Sequence, residues 1–138
     1  MLRKLFLAAL FSCSTAPLAA QEWTQIAYYL AYIGPEDMYN SSGARVDSLG
    51  GVLQQDRANF HRFGVRHAQD QGDPIFASRE WRAQIPAMVA AGGNDRGDLA
   101  RMARGGQPFM VNVFVCGYGN APSVIYLAGA GEDHSGCY

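Results

Sequence analysis

Residues 52–64, with the sequence VLQQDRANFHRFG, hold the densest group of side chains that could transfer protons or bind polar ligands. A carboxylate and an imidazole, Asp56 and His61, could act as an acid–base pair if the fold placed them in one cleft. They lie five residues apart, which is about 140° around a helix, so they do not share a helix face. An enzyme that used His61 would therefore need a carboxylate from another element, and Asp73 or Glu80 could supply it.

Asp56 also has a structural interpretation. On a helical wheel the apolar residues of this stretch form one stripe, and Asp56 lies in the middle of it. A buried carboxylate is strongly destabilising unless a partner meets it. The sequence offers three arginines, Arg66, Arg79 and Arg82, or the backbone N–H groups of residues 40–43. In this interpretation Asp56 ties the loop that contains residues 40–43 onto the helix.

Cys116 and Cys137 are the two cysteines outside the N-terminal segment. In an oxidising compartment such a pair predicts a disulfide, which would tie the C-terminal tail to a strand. A metal or redox pair is the alternative, but the cysteines are widely spaced and only His134 lies close to them. We therefore expect a structural disulfide, no metal and no cofactor.

Two acidic segments could contribute to a metal site, although neither has a complete ligand pattern. Residues 70–73 (DQGD) lack the alternating oxygen ligands of an EF-hand, and a solvated turn explains them more simply. Residues 132–134 (EDH) are explained by a mobile polar tail. His67 has no partner in the sequence pattern.

The first twenty residues, MLRKLFLAALFSCSTAPLAA, have the order of a secretory signal peptide. Their apolar run is too short for a membrane-spanning helix, which needs about 20 residues. We predict cleavage after Ala20, a single globular domain over residues 21–138, and export to the periplasm or the medium. The alternative is a lipoprotein signal with an acylated Cys13, although Phe11 stands where such signals carry a small residue.

The charge balance argues against nucleic acid as a partner. Loss of residues 1–20 removes Arg3 and Lys4, so eleven basic residues become nine against twelve acidic ones, a formal charge of −3. A mildly acidic chain without lysine lacks the basic patch that a phosphate backbone requires. No other apolar run is long enough for a membrane, so we expect no membrane insertion after signal removal.

The residue pattern predicts about four short helices followed by a hairpin, an α+β fold. The helices cover about residues 22–33, 48–63, 78–91 and 94–104. Pro86 should kink or split the third helix, and Asn94 should cap the fourth. Residues 109–116 and 123–128, rich in β-branched and aromatic side chains, predict an antiparallel β-hairpin before a tail of residues 129–138. Both hairpin faces are mostly apolar, so helices or another strand should cover them.

The runs Asp-Arg-Ala-Asn (residues 56–59) and His-Arg-Phe-Gly (residues 61–64) resemble a pattern in small, uncharacterised secreted proteins of proteobacteria. The resemblance covers roughly residues 32–76. It implies a signal peptide and a compact domain, and it brings no activity and no catalytic residues with it.

No motif in the sequence names a reaction. We therefore expect a small exported binding or accessory protein of the bacterial cell envelope or medium, with a protein or a small molecule as its partner. The predicted binding surface combines the loop of residues 35–47, which carries Tyr39 and Asn40, with the outer edge of the second helix, which carries Arg57 and His61. The alternative is a small secreted hydrolase, a nuclease or a cell-wall enzyme, that uses His61 with a carboxylate.

Overall fold

The computed structural model describes residues 20–138, so the predicted signal peptide lies outside the described residues except for Ala20. The fold is α+β, with a three-stranded antiparallel sheet and three α-helices rather than four. The strands are β1 (Trp23–Ile33), β2 (Phe109–Tyr118) and β3 (Ala121–Gly129), and the helices are α1 (Leu49–Ala58), α2 (Arg79–Ala91) and α3 (Asp98–Gly105). A 3-10 helix (Pro35–Met38) follows β1, and a π-helical turn (Asn59–Phe63) extends α1. Within residues 20–138, no helix is both long and apolar enough to cross a membrane.

The first element is a strand, so the helix predicted over residues 22–33 is wrong. Alternate residues of β1 are buried in the core: Ala27, Tyr29, Ala31 and Ile33. The opposite face also carries large apolar side chains, such as Leu30, and the sequence therefore lacks the apolar–polar alternation that marks a half-buried strand. Pairing with β2, which lies far along the chain, decides the conformation.

β2 is the central strand of the sheet, with β1 on one side and β3 on the other. β2 and β3 form a C-terminal hairpin, as predicted. Val111, Val113 and Val115 of β2 are fully or almost fully buried, and they pack in the same core as residues of α1 and α2. One hairpin face is therefore covered by the helices, and β1 pairs with the free edge of β2.

Pro86 does not split α2, which continues through it as one helix. A proline lacks the N–H group that would bond to the carbonyl four residues earlier, here that of Arg82. Gln54 of α1 replaces this donor, because its Nε2 donates to Arg82 O at 3.1 Å. Gly50 of α1 also packs against the proline, since a Cβ at Gly50 would lie 2.7 Å from Pro86 Cα. The two helices thus pack closely where the proline lies.

Asn94 does not cap α3, which begins after Gly97. Its side chain binds the outer edge of β3 instead: Nδ2 donates to Ile125 O at 2.7 Å, and Oδ1 accepts the Leu127 N–H at 3.2 Å. The side-chain amide therefore occupies edge groups that a further strand would use.

The outer edge of β1 is covered in a similar way by residues that follow α1. Gln71 Oε1 accepts the Leu30 N–H at 2.9 Å, and the Gln71 N–H donates to Leu30 O at 2.9 Å. Asp70 Oδ1 accepts the Tyr32 N–H at 2.9 Å. Both edges of the sheet are thus partly blocked against pairing with another chain.

Cys116 and Cys137 form the predicted disulfide, which holds the C-terminal tail against β2. Trp23 Nε1 donates to Cys137 O at 2.9 Å. The His134 ring stacks on Phe114, with ring centroids 4.9 Å apart. This ring contact places His134 against Phe114, on the sheet face opposite to the core, while Glu132 and Asp133 are exposed.

Candidate functional site

Arg57 is the centre of a buried cluster of charged residues, Asp56, Arg57, His61 and Asp73, which we call the ionic cluster. Its side chain is 0% exposed. Its Nε donates to Asp56 Oδ2 at 2.7 Å, and its Nη1 donates to Asp73 Oδ2 at 3.2 Å and to Gln71 O at 2.9 Å. The prediction that Arg57 lies at the outer edge of the helix is therefore wrong.

Two aromatic rings explain why Arg57 can turn inward. Its guanidinium carbon lies 4.4 Å from the centroid of the Tyr29 ring and 4.6 Å from that of Phe60. The negative faces of these rings favour the cation, and the two carboxylates compensate its charge. The helical wheel places residue 57 beside the apolar stripe, but it cannot show that a strand and a later loop complete an ionic site there.

Asp56 is buried, with 1% of its surface exposed, as the helical wheel predicts. Its partner is the adjacent Arg57, so the predicted partners Arg66, Arg79 and Arg82 are wrong. Arg66 and Arg82 donate to backbone carbonyl groups instead, and Arg79 is exposed. Burial raises the pKa of Asp56 to about 7, against the opposing charge of Arg57.

His61 and Asp73 form a carboxylate–imidazole pair, with His61 Nε2 at 2.7 Å from Asp73 Oδ2. The other oxygen of Asp73 accepts the N–H groups of Ile75 at 2.9 Å and Phe76 at 2.5 Å. Burial raises the pKa of Asp73, but the hydrogen bonds from His61 and Phe76 bring it below its ordinary value. Asp73 and Glu80 were the two carboxylates predicted as partners of His61. Asp73 contacts it, whereas Glu80 is exposed in the first turn of α2.

This pair has a geometry that acid–base chemistry uses. A carboxylate on one ring nitrogen orients the imidazole and stabilises its protonated form, while the other nitrogen can exchange a proton. The His61 side chain is 11% exposed. Its ring also contacts Phe60, with centroids 5.0 Å apart, so neighbouring groups hold the imidazole in one orientation.

His67 contacts two carboxylates, which the sequence did not indicate. Its Nε2 lies 3.2 Å from Glu36 Oε2, and its Nδ1 lies 3.3 Å from Asp70 Oδ2. Burial lowers the pKa of His67, but the hydrogen bond to Glu36 and the acidic neighbours bring it above its ordinary value. Asp70 and Asp73 both have buried side chains, so the interpretation of residues 70–73 as a solvated turn is wrong.

The loop after β1 and the C-terminal part of α1 enclose a groove of about 380 Å³, which we call the loop–helix groove. It is lined by Glu36, Tyr39, Asn40, Ser41, Gln55, Asn59, Phe63 and Val65. Tyr39, Phe63 and Val65 leave 51%, 48% and 42% of their surfaces exposed. Exposed apolar side chains that cluster beside polar groups are typical of binding surfaces.

Side-chain hydrogen bonds join the loop to the helix at this groove. Asn59 Nδ2 donates to Asp37 Oδ1 at 2.8 Å, and Gln55 Nε2 donates to Asn59 Oδ1 at 3.0 Å. The other oxygen of Asp37 accepts the Gly34 N–H at 2.8 Å. The loop is therefore tied to the helix by Asn59, and the prediction that Asp56 ties it is wrong. Burial raises the pKa of Asp37.

The loop also has internal hydrogen bonds that fix its shape. Asn40 Oδ1 accepts the N–H groups of Ser42 at 3.0 Å and Ala44 at 2.9 Å, and it accepts the Ser42 hydroxyl at 2.7 Å. A short isolated bridge joins Tyr39 to Arg45. The groove wall is therefore built by the loop itself, as Asx-type turns allow.

The structure separates the four predicted binding residues into two places. Tyr39 and Asn40 line the loop–helix groove, whereas Arg57 and His61 belong to the ionic cluster. The groove also contains Gln55, Asn59 and Phe63, which were not predicted as binding residues. Their spacing of four residues places them on one helix face, and this signal could have found them.

Comparisons with known proteins give no relative for this chain. No protein-family model matches it, and no curated protein or solved structure is detectably similar to it. The resemblance of residues 32–76 to secreted proteobacterial proteins therefore stays a prediction. Among residues 20–138, no three His, Cys, Asp or Glu side chains are placed where they could share a metal ion.

Proposed function

We propose that the protein is a small exported binding module and that its ligand lies in the loop–helix groove. The observation that carries this proposal is the convergence of Tyr39, Phe63 and Val65, three half-exposed apolar side chains, on a concave surface with polar walls. A ligand could bury these apolar surfaces, and each square ångström removed from water contributes about 25 cal/mol.

Hydrogen bonds hold the walls of the groove together without a ligand. The Asp37–Asn59–Gln55 hydrogen bonds fix the loop to the helix, and the Asn40 turn fixes the loop itself. A preformed site loses less conformational entropy on binding than a mobile one. This order favours a recognition role for the loop over a role as a passive connection.

Export to the periplasm or the medium is part of the same proposal. The Cys116–Cys137 disulfide supports it, because disulfides persist mainly in oxidising compartments. The residue order of the first twenty residues supports it as well.

The test is a ¹⁵N NMR titration of residues 21–138 with monosaccharides, disaccharides and blocked tripeptides. We expect amide shift changes that concentrate at the groove, and weaker binding in Tyr39→Ala and Phe63→Ala. Tyr118→Ala is the matched control, because Tyr118 is 52% exposed and lies on β2, outside the groove. The proposal is contradicted if the shift changes map to another surface. It is also contradicted if Tyr118→Ala weakens binding as much as Tyr39→Ala and Phe63→Ala do.

A secreted hydrolase is the second candidate, and the bond between His61 and Asp73 favours it. The protein should then degrade single-stranded DNA or isolated peptidoglycan, and His61→Gln should abolish this activity. His134→Gln is the control, because His134 stacks on the sheet outside the ionic cluster. Equal degradation by both variants would show that the activity does not depend on His61 and would remove this candidate.

A further inference from the structure

We propose that the loop–helix groove binds an arginine side chain presented by a partner polypeptide. This inference rests on the proposed function, and it names the chemical class of the ligand. Three features of the groove support it: one exposed carboxylate, exposed aromatic rings, and side-chain amides that can bind peptide groups.

The acidic group of the groove is Glu36. Of the described residues that line the groove, Glu36 is the one with an ionised side chain, and no arginine or lysine lines it. The carboxylate is 56% exposed, so a ligand can reach it. Hydrogen bonds from its own backbone N–H and from His67 lower the pKa of Glu36, which keeps it ionised. His67 contacts one of its oxygens, Oε2, and a cationic ligand can bind the carboxylate from its exposed side.

The aromatic rings make a guanidinium the best-fitting cation. Arginine binds a carboxylate through a planar fork and stacks on aromatic faces, whereas the ammonium of lysine is a strongly hydrated point charge. The protein already uses this contact, because Arg66 lies 4.1 Å from the Phe60 ring centroid and Arg62 lies 4.9 Å from that of Phe63. Phe63 is a groove residue, so a groove ring already accepts a guanidinium.

The amides favour a polypeptide over a free polyamine as the source of the cation. Asn40 uses its Oδ1 within the loop, and Gln55 uses its Nε2 for Asn59. Their other amide atoms, Asn40 Nδ2 and Gln55 Oε1, are a donor and an acceptor that make no hydrogen bond to other described residues. A peptide group offers the complementary acceptor and donor on either side of an arginine.

The test uses acetyl-Ala-Ala-Arg-Ala-Ala-amide, the same peptide with Gln in place of Arg, and spermidine, each titrated into ¹⁵N-labelled protein. We expect the Arg peptide to shift groove amides and to bind more tightly than the Gln peptide and spermidine. Glu36→Gln should weaken the Arg peptide roughly fivefold, since a partly exposed charge pair is worth about 1 kcal/mol. Glu22→Gln is the control, because Glu22 is exposed and lies outside the groove.

A second variant tests the aromatic contact. Arg62→Gln removes an exposed guanidinium that competes for the Phe63 ring, so it should strengthen binding of the Arg peptide. Equal binding of the Arg and Gln peptides, no effect of Glu36→Gln, or tighter binding of spermidine would overturn the inference. Binding of neutral peptides or sugars in the groove would leave the proposed function standing, whereas no binding in the groove by any probe would overturn both.

Discussion

Asn59 and Asp37 lie 22 residues apart in sequence and are joined by a hydrogen bond of 2.8 Å from Asn59 Nδ2 to Asp37 Oδ1. Both side chains belong to buried residues. This bond holds the loop of residues 35–47 against the C-terminal part of α1, and the loop–helix groove depends on it. The shape of the candidate site therefore rests on a polar contact inside the protein.

Replacement of Asn59 should destabilise the protein and loosen the groove. Asn59→Ala removes a donor from the buried Asp37 carboxylate, and an unsatisfied buried polar group costs about 1–3 kcal/mol. Urea unfolding measures the loss, with Gln84→Ala as the control because Gln84 is exposed on α2. If both variants unfold at the same urea concentration as the parent, the bond does not support the loop.

Replacement of Arg57 should have the largest effect of any arginine variant. Arg57→Met leaves the Asp56 and Asp73 carboxylates buried without their cation, and loss of one partner of a buried ion pair costs about 3–5 kcal/mol. Adding Asp56→Asn should recover part of this loss. Arg62→Met is the control, because Arg62 is exposed. If Arg57→Met unfolds at the same urea concentration as the parent, the assignment of the ionic cluster is wrong.

The raised pKa of Asp56 predicts a specific dependence of stability on pH. Burial raises this pKa from 3.8 to about 7, so between these values the folded state binds more protons than the unfolded state. The contribution of Asp56 is therefore fully present below about pH 4 and is lost as the pH rises through about 7. Urea unfolding of the parent and of Asp56→Asn should show a stability difference, parent minus variant, that falls across this range. A difference that is constant with pH would mean that Asp56 titrates normally.

Removal of the disulfide should destabilise the protein through the unfolded state. The cysteines are 21 residues apart, and closing a loop of this size stabilises the folded state by about 3 kcal/mol. Cys116→Ser with Cys137→Ser should melt at a lower temperature than the oxidised parent. The parent in reducing agent should melt like this double variant, and an unchanged melting temperature under reduction would show that the bond contributes little.

Loss of the edge contact at β3 should promote self-association. Asn94→Ala frees Ile125 O and the Leu127 N–H, which a strand from another molecule could then bind. Light scattering of concentrated samples should show more association than for the parent. Asp95→Ala, an exposed neighbouring change, serves as the control, and equal scattering by the two variants would mean that Asn94 does not protect the edge.

Local sequence signals predicted the elements that local chemistry stabilises. Ser48 and Ser78 cap α1 and α2 at the predicted helix starts, and each accepts a backbone N–H in the first turn. The hairpin of β2 and β3 followed from two segments rich in β-branched and aromatic residues. The burial of Asp56 followed from the helical wheel, and the disulfide followed from the cysteine pair.

Contacts between distant parts of the chain account for what the sequence could not predict. β1 has large apolar residues on both faces, so its conformation depends on pairing with β2 rather than on its own periodicity. The partners of Arg57 and His61 include Asp73, which lies on a later loop. No spacing rule connects these residues along the chain.

The sequence by itself determined the α+β class, the two capped helices, the hairpin and the disulfide. The helices depend on neighbours within one helical turn, and the hairpin depends on two strands that are adjacent in sequence. The disulfide depends on an oxidising compartment. The tertiary structure alone decided that Arg57 is buried, that His61 meets Asp73, and that Asn59 fixes the loop. A long polar side chain can turn toward either solvent or core, and its direction is set by the charges and donors that folding brings within about 3 Å of it.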